Sequence, residues 1–311
     1  MLLHKKKPPQ TARTEIIRNY QLFLMLVVPV AYIVIFHYVP IYGAQIAFKN
    51  FRAVDGIWKS PWIGFKHFIK FFQSYHFARV LRNTLIISIY SLIAGFPVPI
   101  ILALSLHNSV YVRLKKIVQM TTYAPHFIST VVMVGIIIQF LSAKTGIANT
   151  IIKAAGGEAV VFLGEAKYFS SIYVWSGVWQ HAGWGTIIFL AALSSVDPTL
   201  YEAAIVDGAD KFRRILHIDI PSILPTIVIL LILNVGRIMG VGFEKVFLLQ
   251  NPVNLEASEI IATYVYKVGL AASVPRYSFG AAVGLFNAVV NFILLISVNQ
   301  VAKKLSATSL W

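Results

Sequence analysis

Few residues of this 311-residue chain are of types that do covalent chemistry, and their spacing gives those few no partners. There is no cysteine, hence no thiolate nucleophile, Cys-ligated metal or disulfide framework. The eight histidines show no HExxH or His-x-His spacing, and His37, His126 and His181 fall in three separate apolar runs. No catalytic residue and no metal ligand set is expected, and no GxxxxGKS/T loop is present to cradle nucleotide phosphates. The acids lie at the ends of apolar runs or between them, with Glu244 the nearest to a run. What stands out is a knot of charge between two very apolar stretches. Glu202 to Pro225, "EAAIVDGADKFRRILHIDIPSILP", carries Glu202, Asp207, Asp210 and Asp219 beside Lys211, Arg213, Arg214 and His217. Such a segment is suited to docking and to sensing charge rather than to bond-making.

The elements that must hold it are set by the solvent. Apolar residues make up 58% and charged residues 13%, with a mean hydropathy of +0.73, far from the roughly half apolar and quarter charged mix of soluble domains. The bilayer is the expected solvent and membrane lipid an expected partner. A net charge of +15 would point to nucleic acid in a soluble protein. Here Lys and Arg sit in short stretches between apolar runs, as they do when they orient spans against an anionic membrane face, and no nucleic-acid partner is expected. Six runs are long enough to cross a hydrocarbon core, which takes about 20 helical residues: Leu22–Gly43, Asn83–Leu106, Ile117–Phe140, Tyr168–Leu193, Ser222–Phe243 and Tyr277–Val301. The first follows "HKKKPP" but is longer than a signal-peptide core and has no clear small-residue cleavage site, so it is expected to be retained.

Six spans place both termini on one face. With that face cytoplasmic, the inside segments hold Lys5, Lys6, Lys7, Arg13, Arg18, then Arg113, Lys115, Lys116, then Lys211, Arg213, Arg214, then Lys303 and Lys304, denser than the outside set of Lys49, Arg52, Lys66 and Lys70. The expectation is an all-α membrane protein: a cytoplasmic segment 1–21, a six-span domain 22–301 with a cytoplasmic loop at about 194–221 between spans 4 and 5, and a cytoplasmic tail 302–311. Pro29, Pro97, Pro99, Pro125 and Gly183 fall inside spans, where bundled helices can satisfy the freed backbone groups. "GFPVP" at Gly95–Pro99 reads as a bend.

Local chemistry predicts the shape of the charged loop. Asp197-Pro198 is an N-cap followed by proline at the first helical position, so a short helix should run to Asp207-Gly208, and a second should begin near Asp210. Phe212, Ile215 and Leu216 share one face of that second helix, while Lys211, Arg213 and Arg214 can meet lipid headgroups. The result is a helix-turn-helix whose first helix presents the small Ala203 and Ala204 beside Glu202.

Glu202-Ala203-Ala204, Gly208 six residues after Glu202, Ile218 ten after that glycine, and Ile220-Pro221 resemble the EAA loop of ABC importer permeases, with Ile220 where the family pattern has Leu. "YVPIYGAQIAFKNF", "LRNTLIISIYSLIAGFPVPIILALSL", "APHFIS" and "VGFEKVFLLQNP" extend the resemblance over nearly the whole chain, to the polysaccharide or complex-oligosaccharide branch of the sugar permeases and its alginate-type members. The resemblance implies a multi-pass subunit of a bacterial inner membrane, a heterodimer with a second permease chain, two cytoplasmic ATPase subunits that bind ATP and Mg, and an extracytoplasmic solute-binding protein. It implies no cofactor in this chain itself. It also implies that Glu202, Ala203, Ala204, Asp207, Gly208, Ile218 and Pro221 form the ATPase contact, with Glu202 paired to the ATPase, the alanines closely packed, Gly208 in a positive-φ turn and Pro221 marking re-entry into the membrane.

The substrate path is read from residues alone. Trp175, Trp179, Gln180, His181 and Trp184 in the fourth span offer ring faces and hydrogen-bonding groups of the kind sugars use, and packing or interfacial anchoring is the competing reading. Arg237 lies about 15 residues into the fifth span, or about 22 Å along a helix. It either snorkels to the outer headgroups or lines the path of an acidic sugar, with Asn234 one turn earlier on the same face. The alternative function is an ion-coupled secondary transporter of sugars or other small solutes. Against it, such proteins commonly carry intramembrane Asp or Glu and inverted repeats, neither of which is visible here.

Overall fold

The computed structural model describes residues 18–305; the expected cytoplasmic segment 1–21 and tail 302–311 therefore lie mostly outside the described residues. Along the chain come α1 (Tyr20–Phe48), α2 (Tyr75–His107), α3 (Val112–Tyr123), α4 (Thr130–Phe140), α5 (Ala166–Ser194), α6 (Pro198–Val206), α7 (Lys211–Val235), α8 (Phe243–Leu249), α9 (Ile261–Gly269) and α10 (Tyr277–Leu305), with shorter turns in the connections. By length and apolarity α1, α2, α7 and α10 can each cross a membrane. The six expected spans are reached if two bent pairs, α3 with α4 and α5 with α6, each count as one.

Two spans differ from the sequence reading. Ile117–Phe140 is not one straight helix. α3 and α4 meet at 105°, because Pro125 leads out of α3, Ile128 and Ser129 are extended, and the Ser129 hydroxyl caps α4 by accepting from the Val132 N–H. The fifth span is displaced from Ser222–Phe243 to Lys211–Val235. It begins early because Asp210 caps it, its carboxylate accepting from the Arg213 N–H at 2.7 Å. It stays helical past Pro221 by widening into a π-turn over Ile215–Asp219, which accommodates the N–H that proline lacks. Pro221 therefore lies inside a continuous helix. The bend expected at Gly95–Pro99 reduces to a one-residue interruption at Phe96, where φ is −71° and ψ −40°.

α5 is the central post and packs against α2, α3 and α7. Ala103, Leu104, Phe189, Leu193 and Ile223 bury one junction of α2, α5 and α7. Ile87, Met133, Val134, Ile137, Phe169, Val246 and Leu249 bury another, joining α2, α4, α5 and α8. α9 and α10 close against α2 through Phe71, Val80, Tyr264, Phe279 and Val283. The crossing of α5 and α3 is backbone on backbone: a Cβ placed on Gly183 would lie 2.1 Å from the Thr122 carbonyl oxygen. By contrast α1 meets α10 with its last turns, Tyr42–Phe48, and no residue from Tyr20 to Ile41 is buried.

Candidate functional site

Two places gather the functional candidates: the α6 loop at one end of the bundle, and a cavity between α2, α5 and the end of α7. The loop is built from its caps. The Asp197 carboxylate accepts from the Thr199 N–H at 2.9 Å, and that N–H holds the Asp197 carboxyl below the usual carboxylate range. Pro198 fills the first helical position. At the other end the chain closes in a Schellman turn. The Ala209 N–H reaches the Ala204 carbonyl at 2.8 Å and the Gly208 N–H the Ile205 carbonyl at 3.1 Å, with Gly208 at φ +75°. No residue of α6 is buried. Glu202, Ala203 and Asp207 are exposed, Ala204 is half-buried, and Ile205 and Val206 offer apolar side chains with nothing over them. Ile218 is half-buried on α7 and Pro221 exposed.

What fastens α6 to the bundle is a residue the sequence reading passed over. Asp219, fully buried in the π-turn of α7, accepts from the Tyr201 hydroxyl at 2.6 Å and from the Asn108 amide at 2.7 Å. Tyr201 also meets His107 at 3.3 Å. Burial first, and the bond to Asp219 second, raise the Tyr201 phenol far above its usual range, so it stays a donor. A signal was present: an acid between Ile218 and Ile220 in an apolar helix start needs a buried partner. Asp219→Ala leaves the phenol and the amide unsatisfied, at about 1–3 kcal/mol for each buried group. The expected outcome is a lower thermal midpoint of the purified protein, with Asp219→Asn, which keeps one acceptor, falling between.

The cavity encloses about 560 Å³, within the range of small-molecule sites, about 300–1,000 Å³. It brings together His181, Asn234 and Arg237 from the sequence candidates and adds Ser88, Ser91, Tyr173 and Lys245. Gly177, Ala182 and Gly185 on α5 make its room. Arg237 is not deep inside a span: α7 ends at Val235 and Arg237 follows in the turn, because "GRIMGVG" cannot sustain a helix. Asn234 donates back to the Leu230 carbonyl at 2.7 Å. The described lining carries two cations, Arg237 and Lys245, and no Asp or Glu.

The other fourth-span candidates lie elsewhere. Trp175, Trp179 and Trp184 are about half exposed and do not line the cavity. Trp175 donates to the Tyr90 hydroxyl at 2.8 Å. Trp184 stacks flat on His126 at 4.5 Å, and His126 meets His181 at 3.1 Å between their Nδ1 atoms. Gln180 is buried and donates to the Ile128 carbonyl at 2.9 Å, satisfying the backbone freed where α3 breaks from α4. Among the described residues no group of three or more His, Cys, Asp or Glu could hold a metal.

Comparison with known proteins adds to this geometry. Residues 95–307 match the family model described as binding-protein-dependent transport system inner membrane component. Protein LplB of Bacillus subtilis (strain 168) is 42% identical over 94% of this chain and 92% of its own length. The polygalacturonan/rhamnogalacturonan transport system permease protein YteP of the same organism is 41% identical, over 97% and 94%. Among solved structures, a chain of a bacterial alginate ABC transporter in complex with alginate pentasaccharide-bound periplasmic protein superposes with a TM-score of 0.88 at 38% identity, covering 97% of this chain and all of that one. A chain of a bacterial ABC transporter involved in the import of the acidic polysaccharide alginate superposes with 0.86 at 40% identity, over 94% and 98%.

Proposed function

Because this chain belongs to the family of binding-protein-dependent transport system inner membrane components, and is a transport subunit rather than an enzyme, we propose that it is the membrane subunit of an ATP-driven importer of acidic oligosaccharides or polysaccharides. ABC importer permeases work with ATPase and solute-binding partners. Here we infer a heterodimer with a second permease chain, two ATPase subunits supplying ATP and Mg chemistry, and cytoplasmic placement of the α6 loop and both termini. The uncovered α6, with Glu202, Ala203 and the apolar Ile205 and Val206 outward, has the shape and chemistry of a helix that seats in another protein. ATP binding then shifts the two-state equilibrium of the bundle by its differential affinity for the state in which the ATPase subunits close.

The observation that carries the acidic substrate is the cavity lining: two cations and no carboxylate in its described part. In a partly desolvated site a guanidinium can hold a carboxylate bidentately, and a neutral sugar has no charge to match it. Arg237→Gln keeps hydrogen-bonding capacity and removes the charge. Uptake of an acidic oligosaccharide by the reconstituted transporter is expected to fall about tenfold, equivalent to about 1.4 kcal/mol, with a neutral oligosaccharide of equal length spared. Equal acidic uptake by mutant and wild type would return Arg237 to a headgroup anchor. If this chain alone, in liposomes, moved a solute on a proton gradient without ATP, the secondary-transporter reading would replace the importer.

A further inference from the structure

Resting on the acidic-substrate reading above, we propose that Lys245 is a specificity-determining residue of this permease, a second cation fixed in the cavity wall to take a carboxylate of the passing oligosaccharide. Lys245 is 8% exposed, yet it lines the cavity. Its ammonium donates to the Tyr173 carbonyl at 3.1 Å and lies 5.0 Å from the centre of the Tyr173 ring. An ammonium has three donors, so this leaves two to be used. No carboxylate answers it: the ion pairs of the described residues are made by Glu165 and Glu259, and neighbouring Glu244 is exposed on another side of α8, since adjacent helical residues do not face each other. A buried charge without a counter-charge is costly, and ionisable groups held among membrane helices mark paths for polar substrates.

The position is held from both sides. Val246 and Leu249 anchor α8 in the core against Met133, Val134 and Ile137, which fixes where the lysine stem starts. Across from it lies Gly177 of α5, where a Cβ would make ordinary contact with Lys245 Nζ at 3.5 Å. Arg237 and Lys245 flank the glycine break Gly240–Gly242 between α7 and α8, so the two cations enter the cavity from either side of one non-helical segment. Two polar side chains of α2 belong to the same wall. Ser88, 7% exposed, and Ser91 line the same cavity, while their hydroxyl oxygens are buried in its wall without a hydrogen-bond partner. Thr84 on the same helix shows the usual outcome, a bond back to Val80 at 2.6 Å. The free donors of Lys245 suit the carboxylate of an acidic sugar.

The test uses the whole transporter, with partner permease, ATPase subunits and binding protein, in liposomes, and two probes of equal length, an oligouronate and a neutral oligosaccharide. Lys245→Met keeps the apolar stem and removes the charge; Lys245→Arg keeps the charge. The ratio of oligouronate to neutral uptake at sub-saturating concentration is expected to fall about tenfold in Lys245→Met, corresponding to about 1.4 kcal/mol, and to recover in Lys245→Arg. Both variants are compared at equal amounts of assembled complex, and Lys245→Gln replaces Lys245→Met if that variant does not assemble. An unchanged ratio in the neutralised variant, or an equal fall for both probes, overturns the role of Lys245 while leaving the acidic-substrate reading in place. Wild-type liposomes that take up the neutral probe and reject the oligouronate overturn the substrate reading itself, and Lys245 with it.

Discussion

Glu202→Lys and Gly208→Val each abolish ATP-driven uptake while the permease still inserts in the membrane; that is the expected result at the α6 loop. The two act by different physics. Glu202 is exposed on a helix with no buried residue and makes no ion pair among the described residues, so reversing its charge acts chiefly on whatever α6 meets. A charge placed against its like at a docking face costs several kcal/mol. Gly208 has nothing within 4 Å of where its Cβ would be, so space is not its constraint. Its φ of +75° is. A β-branched residue held there costs about 1–3 kcal/mol of strain, which the turn relieves by rotating out of the Schellman geometry and carrying α6 away. Gly208→Asn, whose side chain tolerates the left-handed region, should transport nearly normally. Checked by ATPase subunits retained on the purified permease and by uptake, full retention and uptake in both Glu202→Lys and Gly208→Val would remove α6 from the docking role.

The largest effect on folding is expected at Gly183. A methyl group there would overlap the Thr122 carbonyl, 2.1 Å from its oxygen and 2.4 Å from its carbon. Backbone cannot rotate aside as a side-chain tip can, and small residues at such crossings are what let membrane helices approach. Overpacking costs about 1–3 kcal/mol where a neighbour can yield, and here the neighbour is the last full turn of α3 before its break. Gly183→Ala should lower the thermal midpoint of the detergent-solubilised protein, and Gly183→Val should leave no monodisperse species. Gly135→Ala is the control, on a helix with open space at that position; it should be neutral or slightly stabilising, since alanine loses less backbone freedom. A Gly183→Val protein as stable as wild type would mean that α3 and α5 do not cross this closely.

The parts legible in the sequence are those set by short-range chemistry. Asp197, Pro198, Gly208 and Asp210 each act within three residues, so the α6 turn follows from the sequence alone. Hydropathy marks the apolar runs for the same reason. The break between α3 and α4 is signalled by Pro125 and Ser129, but periodicity does not record an angle, and both halves are equally apolar. The second loop helix, expected to begin near Asp210, runs on unbroken into the fifth span as α7, because the π-turn at Ile215–Asp219 carries it past Pro221, which no local sequence signal records. The direction in which a membrane residue points is a property of the bundle. Trp175, Trp179 and Trp184 have the composition of a sugar platform but sit off the cavity face of α5, whereas Lys245, which looks like a residue after a span, is folded back into the wall by the apolar residues that follow it.

Asp219 has a mechanical consequence. Its two oxygens hold Tyr201 of α6 and Asn108 at the foot of α2, and its own backbone belongs to α7, while α6 follows α5 after a short turn capped by Asp197. A displacement of α6 therefore reaches α2, α5 and α7 together, with no slack joint between them. From Asp219 to Asn234, fifteen residues of continuous helix amount to about 22 Å, so a tilt of about 10° about the carboxylate sweeps Asn234 through about 4 Å. A stroke of that size at the cavity wall, from a rotation that small at the opposite end, is delivered only while one buried side chain keeps three helices in gear.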